Sequence, residues 1–154
     1  MTHEERFHAL HCELPPAPKA MGLYRPLVVV GNLATTSGHG PLRLDKSLIC
    51  GRVGADLSVE EGYDAARQTG LTMLATLRAE FGSLDRIVRL VKTFGLVQAT
   101  AEFIDHPAVI NGFSELMRDV FGEQAGIAAR SAVGAASLPA GMAVEVEAVF
   151  EIVP

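Results

Sequence analysis

Apolar positions recur along this chain with two periods, and the switch between them marks out the elements. Residues 3–14 place Phe7, Leu10 and Leu14 at helical spacing, which predicts a short N-terminal helix. Leu14-Pro15-Pro16-Ala17-Pro18 then breaks the pattern and reads as an extended linker. The runs 27–30 (Leu-Val-Val-Val) and 33–36 (Leu-Ala-Thr-Thr) flank the turn pair Gly31-Asn32 and predict a hairpin. Ser37-Gly38-His39-Gly40-Pro41 reads as a loop, and 47–53 as a third strand.

Helical periodicity takes over at Ser58-Val59-Glu60-Glu61. This is a capping box, in which the Ser58 hydroxyl caps a backbone amide and Glu61 reaches back. Ala66, Gly70, Met73, Leu74, Leu77 and Phe81 mark the apolar stripe of a long helix that stops at Gly82. The segment 87–97 is apolar and β-branched, with Arg89 and Lys92 interrupting it, and predicts a covered central strand. Asp105-His106-Pro107 opens a second long helix with Pro in its first turn. Its stripe is Val109, Ile110, Phe113, Leu116, Met117 and Val120, and Gly122 ends it. Strands at 128–135 and 142–153 follow, with a turn at Leu138-Pro139-Ala140-Gly141 between them.

This order, β-β-β-α-β-α-β-β, predicts an α+β fold: one mixed β-sheet with two helices packed on one face. It forms a single domain over 15–154 behind an N-terminal helical extension and linker at 1–14. The second face of the sheet is left bare and carries apolar residues, and self-association over that face would cover it.

Composition narrows the function. The chain has 154 residues, which matches one domain with a full core. Its net charge of −5 opposes nonspecific nucleic-acid binding, which draws its affinity from a basic surface. Aromatics at 6% also give little for a base-stacking platform. No stretch approaches the length of a membrane helix, and the acidic start MTHEERFHAL does not read as a signal peptide. The two cysteines, Cys12 and Cys50, make no disulfide framework, so the expected setting is the reducing cytoplasm. A mean hydropathy of +0.26 agrees with apolar surface buried between subunits.

Three groups of residues carry candidate chemistry. His3, His8, His11 and Cys12 cluster near the N-terminus, but His3-Glu4 with His8 is not an HExxH pair, and no metal site is expected. Gly38 and Gly40 flank His39 behind Ser37, and let the backbone approach a ligand or offer amides to an anion. The segment is neither a nucleophile elbow nor a dinucleotide or phosphate loop. Arg130 stands in an otherwise apolar segment, and its permanent charge needs an anion. That anion is either Glu145 or Glu147, which share one side of the next strand, or the carboxylate of a ligand.

Taken together, these segments resemble the RidA/YjgF family, also called the L-PSP endoribonuclease family. The residues that carry the resemblance are Tyr24 and Pro26, Gly31-Asn32-Leu33 with Thr36-Ser37-Gly38, Gln68-Thr69, Leu84-Asp85, Arg130-Ser131-x-Val133, Leu138-Pro139 and Val144-Glu145-Val146-Glu147-Ala148. Leu-Pro-Pro-Ala-Pro, Asp56-Leu57-Ser58 and Asn111-Gly112 resemble a longer, chorismate-mutase-like bacterial subgroup. The chain departs from the pattern at Ala132, where many members have Cys, and at Ala129, where the longer subgroup has His. The Asn111-to-Arg130 spacing also differs.

The resemblance implies a chorismate-mutase-like fold and a homotrimer with ligand pockets between subunits. It implies cofactor-free hydrolysis of 2-imino or enamine acids to 2-oxo acids and ammonia. Arg130 would bind the substrate carboxylate and Glu145 would place or activate water. Tyr24, Ser37, the Gly38 amide and Asn111 would line the pocket. The partner is then a small carboxylate-bearing metabolite, with no nucleic acid and no membrane. The alternative is a trimer that binds a small carboxylate without turning it over. Acidic charge opposes ribonuclease activity, and chorismate mutase activity rests on fold analogy alone.

Overall fold

The computed structural model describes residues 1–154. Its elements are α1 (His3–Ala9), β1 (Leu27–Val30), β2 (Leu33–Thr36), α2 (Val59–Phe81), β3 (Ile87–Gln98), α3 (His106–Phe121), α4 (Glu123–Gly126), β4 (Ala129–Ala135) and β5 (Val144–Ile152). The five strands form one mixed sheet in the order β1-β2-β5-β3-β4. Only β3 and β4 run parallel. They are joined by α3, the covered crossover that a parallel pair requires.

Both long helices begin and end as their sequence specifies. Ser58 accepts from the Glu61 amide while Glu61 reaches back to the Ser58 amide, and Gly82 closes α2 in the left-handed conformation. Val109, Ile110, Phe113, Leu116, Met117 and Val120 of α3 are all at 0% exposure, so the apolar stripe is the buried face. Gly112 lets α3 press onto α2. A Cβ there would stand 2.1 Å from the Tyr63 carbonyl oxygen, so only glycine permits this approach. The core fills the space between the helices and the side of the sheet that carries Ala34, Val97, Val144, Val146, Ala148 and Phe150.

Two predicted elements differ. The segment 47–53 is not a third strand. It makes isolated bridges, Leu42 with Leu48, Cys50 with Met142, and Val53 with Leu57 and Ala99. It is pinned instead by the Gln98 side chain, whose amide donates to the Gly51 and Gly141 carbonyls and whose oxygen accepts from the Leu138 amide. The segment has β-like composition, but it runs past the start of β5 and meets it at a single bridge, Cys50 with Met142, instead of joining the ladder. Helix α1 also stops at Ala9 rather than running to residue 14, and His11 lies at φ 52°. α1 is held to the domain by buried Phe7 and by Glu4, which pairs with Arg78 and accepts from the Leu84 amide. Cys12 and Cys50 are both free.

The opposite side of the sheet has no helix over it. Val28, Val30, Leu33 and Val133 stand there at 49%, 74%, 42% and 39% exposure. This matches the bare apolar face expected from the element order.

The end of β2 has a feature that shapes the site. β2 pairs with β5 through Thr35 opposite Val149, and pairing resumes at His39 opposite Val146. Three residues of one strand therefore face two of the other, a β-bulge. The Thr36 hydroxyl fills the gap by accepting from the Ala148 amide at 3.0 Å. His39 locks the bulge onto α2: Nδ1 donates to the Ser37 carbonyl at 2.7 Å and Nε2 accepts from the Thr76 hydroxyl at 2.8 Å. Burial pushes the His39 pKa below its ordinary 6.5, against an upward pull from the Ser37 carbonyl. A histidine depressed in the folded state stabilises the fold above its unfolded pKa, about 6.5, and that contribution is lost as pH falls through the folded value. The melting temperature should therefore drop as pH is lowered below about 6.5, and His39→Gln should flatten that slope. Equal acid sensitivity in both proteins would contradict this role.

Candidate functional site

The bulge places the first group of site residues. Ser37 is tied back to the segment before β1: its amide donates to the Pro26 carbonyl at 2.9 Å and its hydroxyl to the Arg25 carbonyl at 2.5 Å. Tyr24, at 48% exposure, sits just upstream, and its hydroxyl accepts from the Met21 amide at 3.1 Å. Gly38 packs under Glu145. A Cβ at Gly38 would fall 2.7 Å from the Glu145 carboxyl carbon, so the missing side chain is the space the carboxylate occupies. The Gly38 amide makes no hydrogen bond within the chain.

Glu145 itself is half-buried on β5. Burial raises its pKa above the ordinary carboxylate value, and the nearby negative charge of Glu147 adds to the shift. A carboxyl moved toward neutrality can both accept and donate a proton, the property of an acid–base shuttle. Ser37, Gly38 and Glu145 thus form one constellation at the β2-β5 end of the sheet, with Tyr24 next in the chain to the Arg25 carbonyl that holds Ser37.

Arg130 and Asn111 form another. Arg130 sits on β4 beside Thr93 of β3, which in turn stands beside Ala148 of β5. Thr93 and Ala148 are buried toward the helices, at 1% and 3% exposure, so Arg130 leans toward α3. Its guanidinium donates to the Ser114 hydroxyl at 3.1 Å and to the Pro107 carbonyl at 3.5 Å. Neither acceptor is charged, and Arg130 forms no ion pair in the chain. It borders a cavity of about 340 Å³ between α3 and the β3-β4 pair, whose wall also includes Asn111, Ser114, Glu115 and Arg118.

Glu145 belongs to a different row. It stands beside Leu96, which stands beside Val133, three positions along from Arg130 on β4. Because strand side chains alternate, Glu145 points to the helix-free side and Arg130 to the helix side. An Arg130 ion pair with Glu145 or Glu147, one of the two partners the sequence allows, is therefore absent for a geometric reason. One copy of the chain holds all the expected site residues, but in two places.

The sequence reading missed Ser114, Glu115, Arg118, Tyr63 and the anchoring role of His39. Ser114, Glu115 and Arg118 follow Asn111 at helical spacing on α3, which from sequence alone reads as an ordinary solvated face. The N-terminal histidines gather no site, and no group of three or more His, Cys, Asp or Glu side chains comes together to hold a metal ion. No helix is long and apolar enough to cross a membrane.

Comparison with known proteins agrees with the fold. The protein TCP17 of Trypanosoma cruzi is 39% identical over 143 residues, covering 93% of this chain and 89% of that protein. The crystal structure of a "putative endoribonuclease" from Shewanella oneidensis superposes with a TM-score of 0.93 at 33% identity, covering 99% of this chain and 100% of that one. RidA from the Antarctic bacterium Psychrobacter superposes with a TM-score of 0.60 at 26% identity, covering 88% and 94%. Residues 4–147 match the family model described as "YjgF/chorismate_mutase-like, putative endoribonuclease". With this sheet order and nearly the whole chain matched, the protein belongs to the RidA/YjgF family.

Proposed function

We propose that the protein hydrolyses small 2-imino and enamine acids to 2-oxo acids and ammonia, in pockets completed between the subunits of a homotrimer. The observation that carries this reading is Arg130: a permanent cation with only a hydroxyl and a carbonyl for partners, at the rim of a cavity. A guanidinium so placed suits a carboxylate ligand, which it can grip through two parallel hydrogen bonds. Family membership supports the choice of a small-molecule imine as that ligand.

The chemistry follows from the residues. Arg130 of one subunit holds the substrate carboxylate, with Asn111 alongside. Glu145 of the next subunit faces the C=N carbon, flanked by Ser37, the free Gly38 amide and Tyr24. A water molecule adds to the imine carbon as Glu145 takes its proton and the C=N electron pair moves to nitrogen; Glu145 then passes that proton to the nitrogen, giving the amine and freeing the carboxylate. The resulting carbinolamine collapses: its hydroxyl proton passes through Glu145 to nitrogen, the C–N bond breaks, and ammonia leaves the 2-oxo acid. The imine carbon is already electrophilic, so positioning and a proton shuttle suffice without a cofactor. The elevated pKa of Glu145 suits both transfers.

The bare sheet face supports the assembly, because its exposed valines and Leu33 would be covered by neighbouring copies. We place the protein in the cytoplasm, where thiols such as Cys12 and Cys50 stay reduced.

Light scattering at micromolar concentration should give about three chain masses, and a clean monomer would contradict the shared pocket. Arg130→Lys keeps the charge but loses the planar fork, and Arg130→Ala loses both. Both should lose carboxylate affinity, by roughly 2–5 kcal/mol for the full contact, with the melting temperature nearly unchanged. Intact affinity in Arg130→Ala would remove the clamp. Freshly generated imino acids should release 2-oxo acid with the wild-type protein. A flat time course for all of them, beside intact carboxylate binding, would leave a binding protein rather than a hydrolase.

A further inference from the structure

The cavity beside Arg130 holds a second charge that the proposed reaction does not use. Asn111, Ser114, Glu115 and Arg118 recur on one side of α3 at helical spacing and form its wall. Polar side chains at such positions normally face water. Here they border a cavity, with Ser114 turned to Arg130 of β4, Glu115 to Tyr63 of α2, and Leu90 and Ala128 supplying apolar surface.

No two charges in that wall form an ion pair with each other. Arg118 donates to the Asp119 carboxylate twice, at 3.3 and 3.0 Å, and is satisfied there. Glu115 accepts a hydrogen bond from the Tyr63 hydroxyl of α2 and makes no ion pair. The Tyr63 contact is a consequence of the close helix approach at Gly112, and it fixes the carboxylate's direction without neutralising it. Arg130 likewise has no anion. The wall therefore contains two cations and one anion: Arg118 is paired outside it with Asp119, while Arg130 and Glu115 do not meet and are each held by uncharged groups. A partly buried charge kept apart from its opposite is costly, and the cost is offset when a ligand brings the complementary charge.

We propose that Glu115 reads a cationic group at the far end of the substrate, so that the preferred substrates are 2-imino acids whose side chains end in a guanidinium or ammonium. The proposal rests on Arg130 as the carboxylate clamp. The carboxylate lies at Arg130, the methylene chain crosses Leu90 and Ala128, and the distal cation reaches Glu115. A guanidinium suits the role best, since its fork can donate two parallel hydrogen bonds to a carboxylate. The imine carbon, next to the anchored carboxylate, stays at the cavity rim, where Glu145 of the neighbouring subunit would face it.

The product side gives a test that needs no turnover. Three 2-oxo acids serve as calorimetric probes on the full-length protein: 2-oxo-5-guanidinovalerate, uncharged 2-oxohexanoate, and 2-oxoglutarate with a distal carboxylate. The guanidino acid should bind at least about tenfold tighter than 2-oxohexanoate, the scale of one charge-assisted hydrogen bond. 2-Oxoglutarate should bind more weakly than either. Glu115→Gln keeps an acceptor for Tyr63 and should collapse the guanidino preference to near one. Equal affinities in the wild type, a preference for 2-oxoglutarate, or a preference that survives Glu115→Gln would each overturn the proposal. Failure of all three acids to bind would overturn the clamp as well. Binding in the expected order with no imine turnover would sink the hydrolase reading and leave Glu115 in place.

Discussion

Arg130 cannot be deprotonated, and its chain offers it one hydroxyl and one backbone carbonyl. That mismatch organises the rest of the molecule's chemistry. The carboxylates nearest in the strand pattern, Glu145 and Glu147, are excluded because they belong to the other side of the sheet. The strand period of two enforces this separation, and no rotamer of Arg130 undoes it. The guanidinium is thereby left without an anion in the chain, at the edge of a cavity of about 340 Å³, which is why we propose a ligand carboxylate for it.

The same alternation that separates the two constellations makes each of them rigid. Glu145 sits on the central part of the sheet, between β2 and β3, and borrows space from Gly38. The bulge that supplies Gly38 is fixed by Thr36 on β5 and by His39 on α2. On the other side, α3 positions Asn111, Ser114 and Glu115 together, because a buried stripe of six apolar residues leaves the helix one way to lie. Arg130, Asn111 and Glu145 stand on packed strands and a helix, and Ser37 and Gly38 on a bulge tied to its neighbours, the fixed placement that proton transfer and carboxylate capture require.

Much of this was legible in the chain. The stripes of α2 and α3, the capping box at Ser58, the hairpin at Gly31-Asn32 and the bare sheet face all follow from periodicity and turn chemistry. The candidate residues were legible through resemblance rather than through spacing alone. What could not be read had specific causes. The segment 47–53 has strand composition but crosses its neighbours at single bridges instead of running beside one of them, a fact only the tertiary structure supplies. Asn111, Ser114, Glu115 and Arg118 look like a solvated helix face, and only the placement of α3 beside β3 and β4 shows that they border the cavity at Arg130. The separation of Arg130 from Glu145 depends on register across three strands, and no single segment contains it.

The central claim is that one pocket uses Arg130 of one subunit and Glu145 of the next. Subunit mixing tests this directly. Arg130→Ala and Glu145→Gln trimers, each inactive alone, are unfolded together in equal amounts and refolded. If the pocket is shared, random assembly restores both intact groups at about a quarter of the interfaces, and 2-oxo acid release returns to about a quarter of the wild-type rate. If each chain completes its own pocket, every site in the mixture carries one defect. Activity that stays at the level of the single variants, in mixed trimers confirmed by mass, would contradict the account.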